Sequence, residues 1–186
     1  MSKLLQKENK VLRQKSQEVP VSDIKSKKIQ NIIKEMKAAL DSQKDGVAIA
    51  APQIGYLVRI FVVSGKVPKI IEMTKDESKR SEISIENIKK ESADEVFINP
   101  KISKYSREKE LMDEGCLSVR WFYGKVKRSK KVSLEALNEK GETVKKGASG
   151  LLAQIFQHET DHLDGTLFID KAVELEEIKP EETIDN

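Results

Sequence analysis

The chain has 186 residues, 38% of them hydrophobic, which is enough to bury one sizeable core and too little to demand a second. We therefore expect a single domain over residues 1–186. The 34 Lys and Arg residues against 31 Asp and Glu leave a net charge of only +3, with the two signs interspersed. That balance argues against a protein that recognises nucleic acid specifically.

The apolar runs and the single cysteine limit the compartment. The chain starts with polar residues, and no apolar run approaches the ~18 residues of a membrane span. We expect no membrane contact and a cytoplasmic location. Cys116 is the only cysteine, which excludes an internal disulfide and fits a reducing compartment.

The first half of the chain predicts a polar arm, a helix and a buried strand. After residues 1–21, the cap pair Ser22-Asp23 precedes apolar residues at helical spacing, which predicts an amphipathic helix ending before Gly46. The small residues of Gly46–Gly55 allow a backbone to approach either a ligand or a neighbouring strand, and the sequence does not choose between them. Residues 57–63 have the β-branched and aromatic character of a buried strand.

A charged segment then interrupts the predicted sheet. Ile70-Ile71 is expected to continue the sheet, but twelve of the twenty-two residues in 74–95 are charged, which predicts a solvated surface insertion. Residues 96–100 return to strand character and are expected to stop at Pro100.

The middle of the chain holds two ambiguous stretches. Residues 120–124 form the one dense aromatic cluster, which can line a substrate site or pack on the core. Lys125–Lys131 carries five basic residues in seven. It predicts an exposed edge strand blunted by lysines rather than a phosphate-binding patch, because no aromatic residues are interleaved for base stacking.

Near the C-terminus lies an H-E-x-x-H sequence, formed by His158, Glu159 and His162, and these are the only two histidines. Residues four apart share one helix face, so both imidazoles can bind one metal ion. Glu159 points about 100° around the helix, where it can reach a metal-bound water without being a ligand.

The helix that carries this motif has recognisable ends. Ser149 is a plausible N-cap and Gly165 suits a left-handed C-terminal cap, with apolar residues beneath the imidazoles. Residues 167–169 are expected to form a short strand. The acidic segment 173–186 is expected to be a flexible tail.

Two imidazoles leave the metal at least one protein ligand short. Cys116 is a candidate, and so is a carboxylate downstream of the helix: Asp164, Asp170 or Glu174. H-E-x-x-H alone is typical of metalloproteases, so the motif by itself indicates metal-assisted hydrolysis of some carbonyl.

Three motifs together resemble the peptide deformylase family. The family carries G-x-G-x-A-A-x-Q, E-G-C-L-S and H-E-x-D-H in this order, and the corresponding stretches here are Gly46–Gln53, Glu114–Ser118 and His158–His162. The similarity extends over roughly residues 10–172. Three ordered motifs are far more specific than any one of them.

The resemblance implies an α+β fold with antiparallel sheets packed around a central H-E-x-x-H helix, preceded by an N-terminal amphipathic helix. It implies a divalent metal held by Cys116, His158 and His162 with water as the fourth ligand. Ferrous iron is the expected physiological metal, and Zn²⁺, Ni²⁺ or Co²⁺ can occupy such sites. The implied substrate is an N-formylmethionyl peptide, which yields formate and a free amino terminus.

The resemblance also assigns roles along the chain. Glu159 is the expected general base, and the Gln53 amide and Leu117 N–H are the expected donors to the oxyanion. The residues expected to bind the substrate are Gly46, Val47, Ala48, Gly115, Leu151 and Ile155. Of these, Val47, Leu151 and Ile155 are expected near an apolar methionine pocket.

Some features depart from the family pattern. Ala48 replaces the second glycine of the first motif, which would be costly if that backbone needed a positive φ. Arg120-Trp121 replaces the usual proline-glycine after the second motif.

Alternative interpretations of the function are a zinc endopeptidase and a non-catalytic protein that contacts nascent chains or, transiently, the ribosome through Lys125–Lys131.

Overall fold

Two antiparallel sheets and three helices make up the part of the chain described by the computed structural model, residues 3–75 and 84–179. The larger sheet has the order β1-β2-β3-β6-β7. Its strands are β1 Ala48–Ala50, β2 Ile60–Val63, β3 Glu95–Tyr105, β6 Lys131–Leu137 and β7 Thr143–Ser149. The smaller sheet has the order β4-β5-β8, formed by β4 Lys109–Gly115, β5 Phe122–Ser129 and β8 Val173–Glu177.

The helices are α1 Lys27–Asp41, α2 Val67–Thr74 and α3 Gly150–Leu163. Within the described residues, none of them combines the length and apolarity that crossing a bilayer requires.

The part of the larger sheet formed by β1 and β2 is buried on both faces. Ile60 and Val62 of β2 lie in the hydrophobic cluster that contains α1, whereas the alternate residues Phe61 and Val63 lie in the cluster that contains α3. Strand side chains alternate between faces, so a strand covered by helices on both sides is apolar at every position. This arrangement accounts for the unbroken apolar run Ile60–Val63.

Helix α1 begins later than the sequence suggests. Ser22-Asp23 falls in a 3₁₀ turn, and Ser26 is the cap residue, with its side chain accepting from the Ile29 N–H at 3.3 Å. The buried face of α1 packs on the sheet through six residues, Ile29, Ile32, Ile33, Met36, Ala39 and Leu40.

Helix α3 contacts strands of both sheets. Phe156 on α3 meets Phe61 and Phe97 of the larger sheet, with ring centroids 5.9 and 5.2 Å away. At its C-terminal end Gly165 has φ 75, the left-handed conformation expected of a cap. The helix is thus fixed in position where its last two turns carry His158 and His162.

Several sequence predictions differ from the structure. Ile70-Ile71 lies in α2 and not in a strand, because Pro68 in the first turn favours a helix start. Strand β3 continues through Pro100, where a register shift between Ile98 and Lys101 accommodates the missing N–H. Residues 168–170 form a 3₁₀ turn where a short strand was expected.

The charged insertion and the tail lie partly outside the described residues, which exclude 76–83 and 180–186. The described end of the insertion is tied to the core, since Asp94 accepts from the Gly65 N–H at 3.0 Å and pairs with Lys90 at 2.8 Å. The segment expected to be a flexible tail from residue 173 begins instead with strand β8, which pairs with β5.

The basic run Lys125–Lys131 does not form an edge strand. Residues 125–129 belong to β5, which is the central strand of the smaller sheet, and Lys131 begins β6 inside the larger one. Arg128 in this run is only 4% exposed. Its burial could not be inferred from the run itself, because the partners that neutralise it come from distant parts of the chain.

Candidate metal and active site

Two separate elements bring three metal-binding side chains together. Cys116 follows the last residue of β4, and His158 and His162 lie one turn apart on α3. One ligand atom from each of the three lies within 4.8 Å of the others, and Cys116 Sγ is 3.2 Å from His162 Nε2. The carboxylates considered as alternatives, Asp164, Asp170 and Glu174, are not in this cluster; Asp164 and Asp170 pair instead with Arg59 and Arg13.

The geometry fits a divalent transition metal. With bond lengths of about 2.3 Å to sulfur and 2.1 Å to nitrogen, tetrahedral ligand atoms are separated by roughly 3.6 Å. Here Cys116 Sγ and His162 Nε2 are 3.2 Å apart, and all three ligand atoms lie within 4.8 Å of one another. A thiolate with two imidazoles suits zinc or ferrous iron and disfavours calcium or magnesium, which prefer oxygen ligands. These residues would therefore hold such an ion and leave one position open.

Behind His158 lies a buried charged network. His158 Nδ1 is 2.9 Å from Glu114 Oε2, which leaves the other ring nitrogen for a metal. Arg128 donates from Nε and Nη2 to the two oxygens of Glu114 at 2.7 and 2.9 Å, and from Nη1 to Asp161 at 2.6 Å. Burial opposes ionisation of Glu114, but the bonds from Arg128 and His158 outweigh it and lower its pKa to about 2. Glu114 is thus a fixed carboxylate that orients the imidazole.

The two imidazoles differ in their surroundings. Burial disfavours a charge on His158, yet hydrogen bonds to Cys116 and Glu114 raise its pKa well above the usual value. Burial and the neighbouring His158 charge lower the pKa of His162 well below it. His158 therefore holds its proton more tightly than His162, and a metal ion would have to displace that proton to bind the His158 ring.

Glu159 is buried beside the ligands with one carboxylate oxygen unpartnered. Burial raises its pKa to about 7, with His158 lowering it and Glu114 raising it further. A buried oxygen without a hydrogen bond is costly unless something binds it. Its position next to an open coordination site suits a group that takes and returns a proton.

Gln53 reaches the same site from a 3₁₀ turn after β1, Ala51–Ile54. Its side-chain oxygen accepts from the Ala50 N–H at 2.8 Å, which orients the amide. Its nitrogen then donates to Ser118 Oγ at 3.1 Å and lies 3.6 Å from Cys116 Sγ. The sequence could not show this contact, because 63 residues separate Gln53 from Cys116.

A cleft of about 370 Å³ opens onto these groups. It is lined by nearly all the predicted site residues: Gly46, Val47, Ala48, Gln53, Gly115, Cys116, Leu117, Leu151, Ile155, His158 and Glu159. The exception is His162, which is 1% exposed and lies behind the cleft surface. Ala48 belongs to β1 and is not among the residues with positive φ, so its methyl group causes no backbone strain.

Other residues of the cleft wall were either undecided or not predicted from the sequence. Trp121 and Tyr123 line it, so the aromatic cluster contributes to the wall. A side chain at Gly115 would lie 3.0 Å from the Tyr123 ring, which explains the glycine there. Ile85, from the far end of the charged insertion, also lines the cleft, although nothing in the charged pattern pointed to it.

An ion pair between two residues that line the cleft was not indicated by any sequence pattern. Arg120 donates to Asp45 at 2.5 and 3.1 Å and to Gln43 at 2.8 Å. It thereby links the wall after Cys116 to the segment before Gly46. The replacement of the usual proline-glycine by Arg120-Trp121 is thus accommodated by a partner on the opposite side of the cleft.

Comparisons with known proteins agree on one family. The family model for polypeptide deformylase matches residues 1–177. Peptide deformylase 2 of Clostridium acetobutylicum is 41% identical over 167 residues, which are 90% of this chain and 92% of that protein. Chloroplastic peptide deformylase 1A of Solanum lycopersicum is 40% identical over 161 residues, 87% of this chain, and the chain spans 56% of that relative's length.

Solved structures give the same result. The Met-Ala-Ser-bound class I type b peptide deformylase of Acinetobacter baumannii is 28% identical, with a TM-score of 0.74 over 92% of this chain and 99% of that one. Three side chains that could hold a metal ion, a buried glutamate and a family match over residues 1–177 thus lead to the same assignment. The chain belongs to the polypeptide deformylase family of metal-dependent hydrolases, which remove N-formyl groups from nascent peptides.

Proposed function

We propose that this chain hydrolyses the formyl group of N-formylmethionyl peptides, and that its site residues act as the motifs predict. The observation that carries the proposal is the cluster of Cys116, His158 and His162. Cys116 and His158 line one cleft with Glu159 and Gln53, and His162 lies behind its surface. When bound, a divalent metal would lower the pKa of a water molecule and polarise the formyl carbonyl.

The proton transfers fall to Glu159. Its unpartnered carboxylate oxygen takes a proton from the attacking water and later delivers it to the leaving amine. Burial raises the pKa of Glu159 above that of an ordinary glutamate, which makes the carboxylate a stronger base toward the proton of the water. Burial at 4% exposure keeps this carboxyl group away from bulk water.

Two hydrogen-bond donors, the Gln53 side-chain amide and the Leu117 N–H, are proposed to stabilise the negative charge that develops on the formyl oxygen. The Gln53 amide is held with its nitrogen toward the cysteine by the Ala50 N–H on its oxygen. The Cys116 carbonyl accepts from the Val119 N–H at 3.0 Å, so the Leu117 N–H at the other end of that peptide plane points the opposite way. Donors fixed before the reaction stabilise charge without reorganising.

The peptide is proposed to bind along Gly46, Val47, Ala48 and Gly115, with its methionine side chain near Val47, Leu151 and Ile155. Val47 and Leu151 are half-buried members of the cluster that contains Ile155 and α3. An apolar surface at this place suits a thioether side chain. The Met-Ala-Ser complex of the Acinetobacter relative supports a peptide of this kind.

The remaining assignments belong to the same proposal. Residues 1–186 act as one catalytic domain around α3, with α1 as the amphipathic N-terminal helix and residues 74–95 as a charged surface insertion whose residue Ile85 lines the cleft. Ferrous iron is the proposed metal in the cell, with zinc, nickel or cobalt able to replace it, and the proposed location is cytoplasmic.

The proposed ribosome contact through Lys125–Lys131 falls to the exposed lysines of this run. Lys127 and Lys131 are exposed, whereas Arg128 is buried and Lys125 and Lys130 pair with Glu174 and Glu108, both at 2.8 Å. Any such contact would be transient and salt-sensitive.

The test is formate release from a formyl-Met-Ala-Ser peptide by anaerobically prepared, iron-loaded protein. We expect Glu159→Ala to retain metal and to lose about 10²- to 10⁴-fold in kcat. Glu176→Ala, on exposed strand β8, serves as the control and should keep full activity. Metal-loaded wild-type protein that releases no formate would refute the deformylase assignment, and internal cleavage of the peptide would favour an endopeptidase.

A further inference from the structure

A short stretch of the N-terminal arm, Leu5–Lys7, contacts the back of the proposed site. The Leu5 N–H donates to the Gln53 carbonyl at 2.8 Å, and Gln6 Nε2 donates to the Leu117 carbonyl at 3.2 Å. Lys7 Nζ lies 3.6 Å from the centroid of the Phe122 ring. Three consecutive residues thus hold three segments that line the cleft.

The bond from Gln6 acts on a peptide unit that also touches the proposed metal ligand. The peptide plane between Leu117 and Ser118 carries the carbonyl that Gln6 binds and the Ser118 N–H, which donates to Cys116 Sγ at 3.4 Å. A donor on the carbonyl polarises the peptide and strengthens its N–H as a donor. Gln6 therefore reaches the thiolate through one rigid plane.

The bond from Leu5 acts on the proposed oxyanion donor. Gln53 is 2% exposed, and its side chain is oriented by the Ala50 N–H at one end and Ser118 at the other. The Leu5 N–H fixes the backbone from which this side chain projects. The side chain of Leu5 packs, as those of Cys116 and Phe122 do, against the buried cluster that contains Leu12 and Val119, so apolar contacts hold the arm in place.

Residues 5–7 do not themselves line the cleft. They therefore act on the site through the cleft residues that they contact, which are Gln53, Leu117 and Phe122, and through the peptide unit of Leu117 on Cys116. We propose that Leu5–Lys7 is a positioning segment, which orients the amide proposed for the oxyanion and the peptide unit that donates to the thiolate. The expected change in kcat rests on the proposed function. The expected effect of Gln6 on the Cys116 thiolate can be measured without turnover.

The test compares three variants of the full-length chain. Gln6→Met removes the donor at similar length, Gln6→Lys keeps a donor, and Glu8→Ala changes an exposed neighbour in the same arm. For Gln6→Met we expect kcat to fall roughly 3- to 10-fold with KM unchanged, because a neutral hydrogen bond is lost and no cleft residue is altered. Gln6→Lys should recover most of the loss.

A second measurement uses Co²⁺ as the probe. In Co²⁺-loaded protein the sulfur-to-metal charge-transfer band should move to longer wavelength in Gln6→Met, since a less stabilised thiolate gives up an electron more easily. Gln6→Lys and Glu8→Ala should keep the wild-type band.

Wild-type kcat with an unshifted band in Gln6→Met would overturn the inference, and so would equal losses in Glu8→Ala. If wild-type protein binds Co²⁺ but releases no formate, the proposed function fails, while the band still decides whether Gln6 acts on the thiolate.

A companion pair addresses Leu5. Leu5→Pro removes the N–H that binds Gln53, whereas Leu5→Ala trims the side chain and keeps it. A larger loss of kcat in Leu5→Pro than in Leu5→Ala, at equal thermal stability, is the expected result. The reverse order would show that the arm acts only by packing.

Discussion

Replacing Arg128 by methionine tests whether the buried network behind His158 holds the site together. Arg128 and Glu114 are 4% and 5% exposed, and the guanidinium makes three charge-assisted bonds, two to Glu114 and one to Asp161. Methionine preserves most of the apolar contact of the side chain but supplies no donor. Glu114 would then be a buried carboxylate paired only with His158.

The expected cost is about 3–5 kcal/mol of unfolding free energy, the range for breaking a buried pair while leaving one charge behind. Three charge-assisted bonds at ~1.5–3 kcal/mol each would exceed this range if summed, but water entry and relaxation offset part of the loss. Metal affinity should also fall about 10- to 100-fold, because Glu114 would no longer be held rigidly against His158.

Urea denaturation of the metal-free protein and chelator competition measure the two effects separately. Arg120→Met is the control, because Arg120 makes a similar ion pair with Asp45 but both side chains are partly exposed. This substitution should lower the free energy of unfolding by less than about 1 kcal/mol. An Arg128→Met protein within 1 kcal/mol of wild type, with unchanged metal affinity, would show that the network neither stabilises the fold nor positions the ligand.

Three further outcomes follow from the geometry. Cys116→Ser should weaken metal binding by more than the roughly 10- to 100-fold typical of outer-shell changes, and wild-type affinity in a chelator titration would exclude the thiolate as a ligand. Gly165→Ala should lower the melting temperature, because φ is 75 and the new methyl group would lie 2.8 Å from the Arg13 backbone; Gly147→Ala, with open space around it, should not. The bond from Arg120 lowers the pKa of Asp45, so its stabilisation is present above the unfolded pKa and is lost as pH falls through the lower folded value. The stability difference between wild type and Asp45→Asn should therefore be largest near pH 6 and shrink below about pH 4, and a difference independent of pH would contradict the pairing.

Local features were accessible from the sequence because local backbone preferences produce them. The glycine after α3 adopts the left-handed conformation expected at Gly165. Residues 57–63, which are apolar except for Arg59, contain strand β2, and β2 itself has no polar position because both of its faces are covered. The error at Ile70-Ile71 was also local, because a short apolar pair is compatible with helix and strand alike.

The site itself required chain-distant contacts. The spacing of His158 and His162 predicted that both share a helix face, but three carboxylates competed with Cys116 as the next ligand until the resemblance was considered. The fold places Cys116 Sγ 3.2 Å from His162 Nε2, across 46 residues of sequence. Gln53 reaches the same sulfur only because the turn after β1 lies against the end of β4.

Arg128 shows most clearly what composition cannot decide. Within Lys125–Lys131 it looks like one more solvated cation, and its neighbours Lys127 and Lys131 are indeed exposed. Whether a charge is buried depends on which opposite charge lies across from it, and Glu114 and Asp161 are set there by strand pairing and by α3. The sequence alone therefore determined the helix that carries two imidazoles and a carboxylate. The resemblance singled out Cys116 and Gln53. Only the tertiary structure shows that Cys116 contacts His162, that Gln53 contacts Cys116 and that Arg128 is buried, because these contacts join segments that are distant in the sequence.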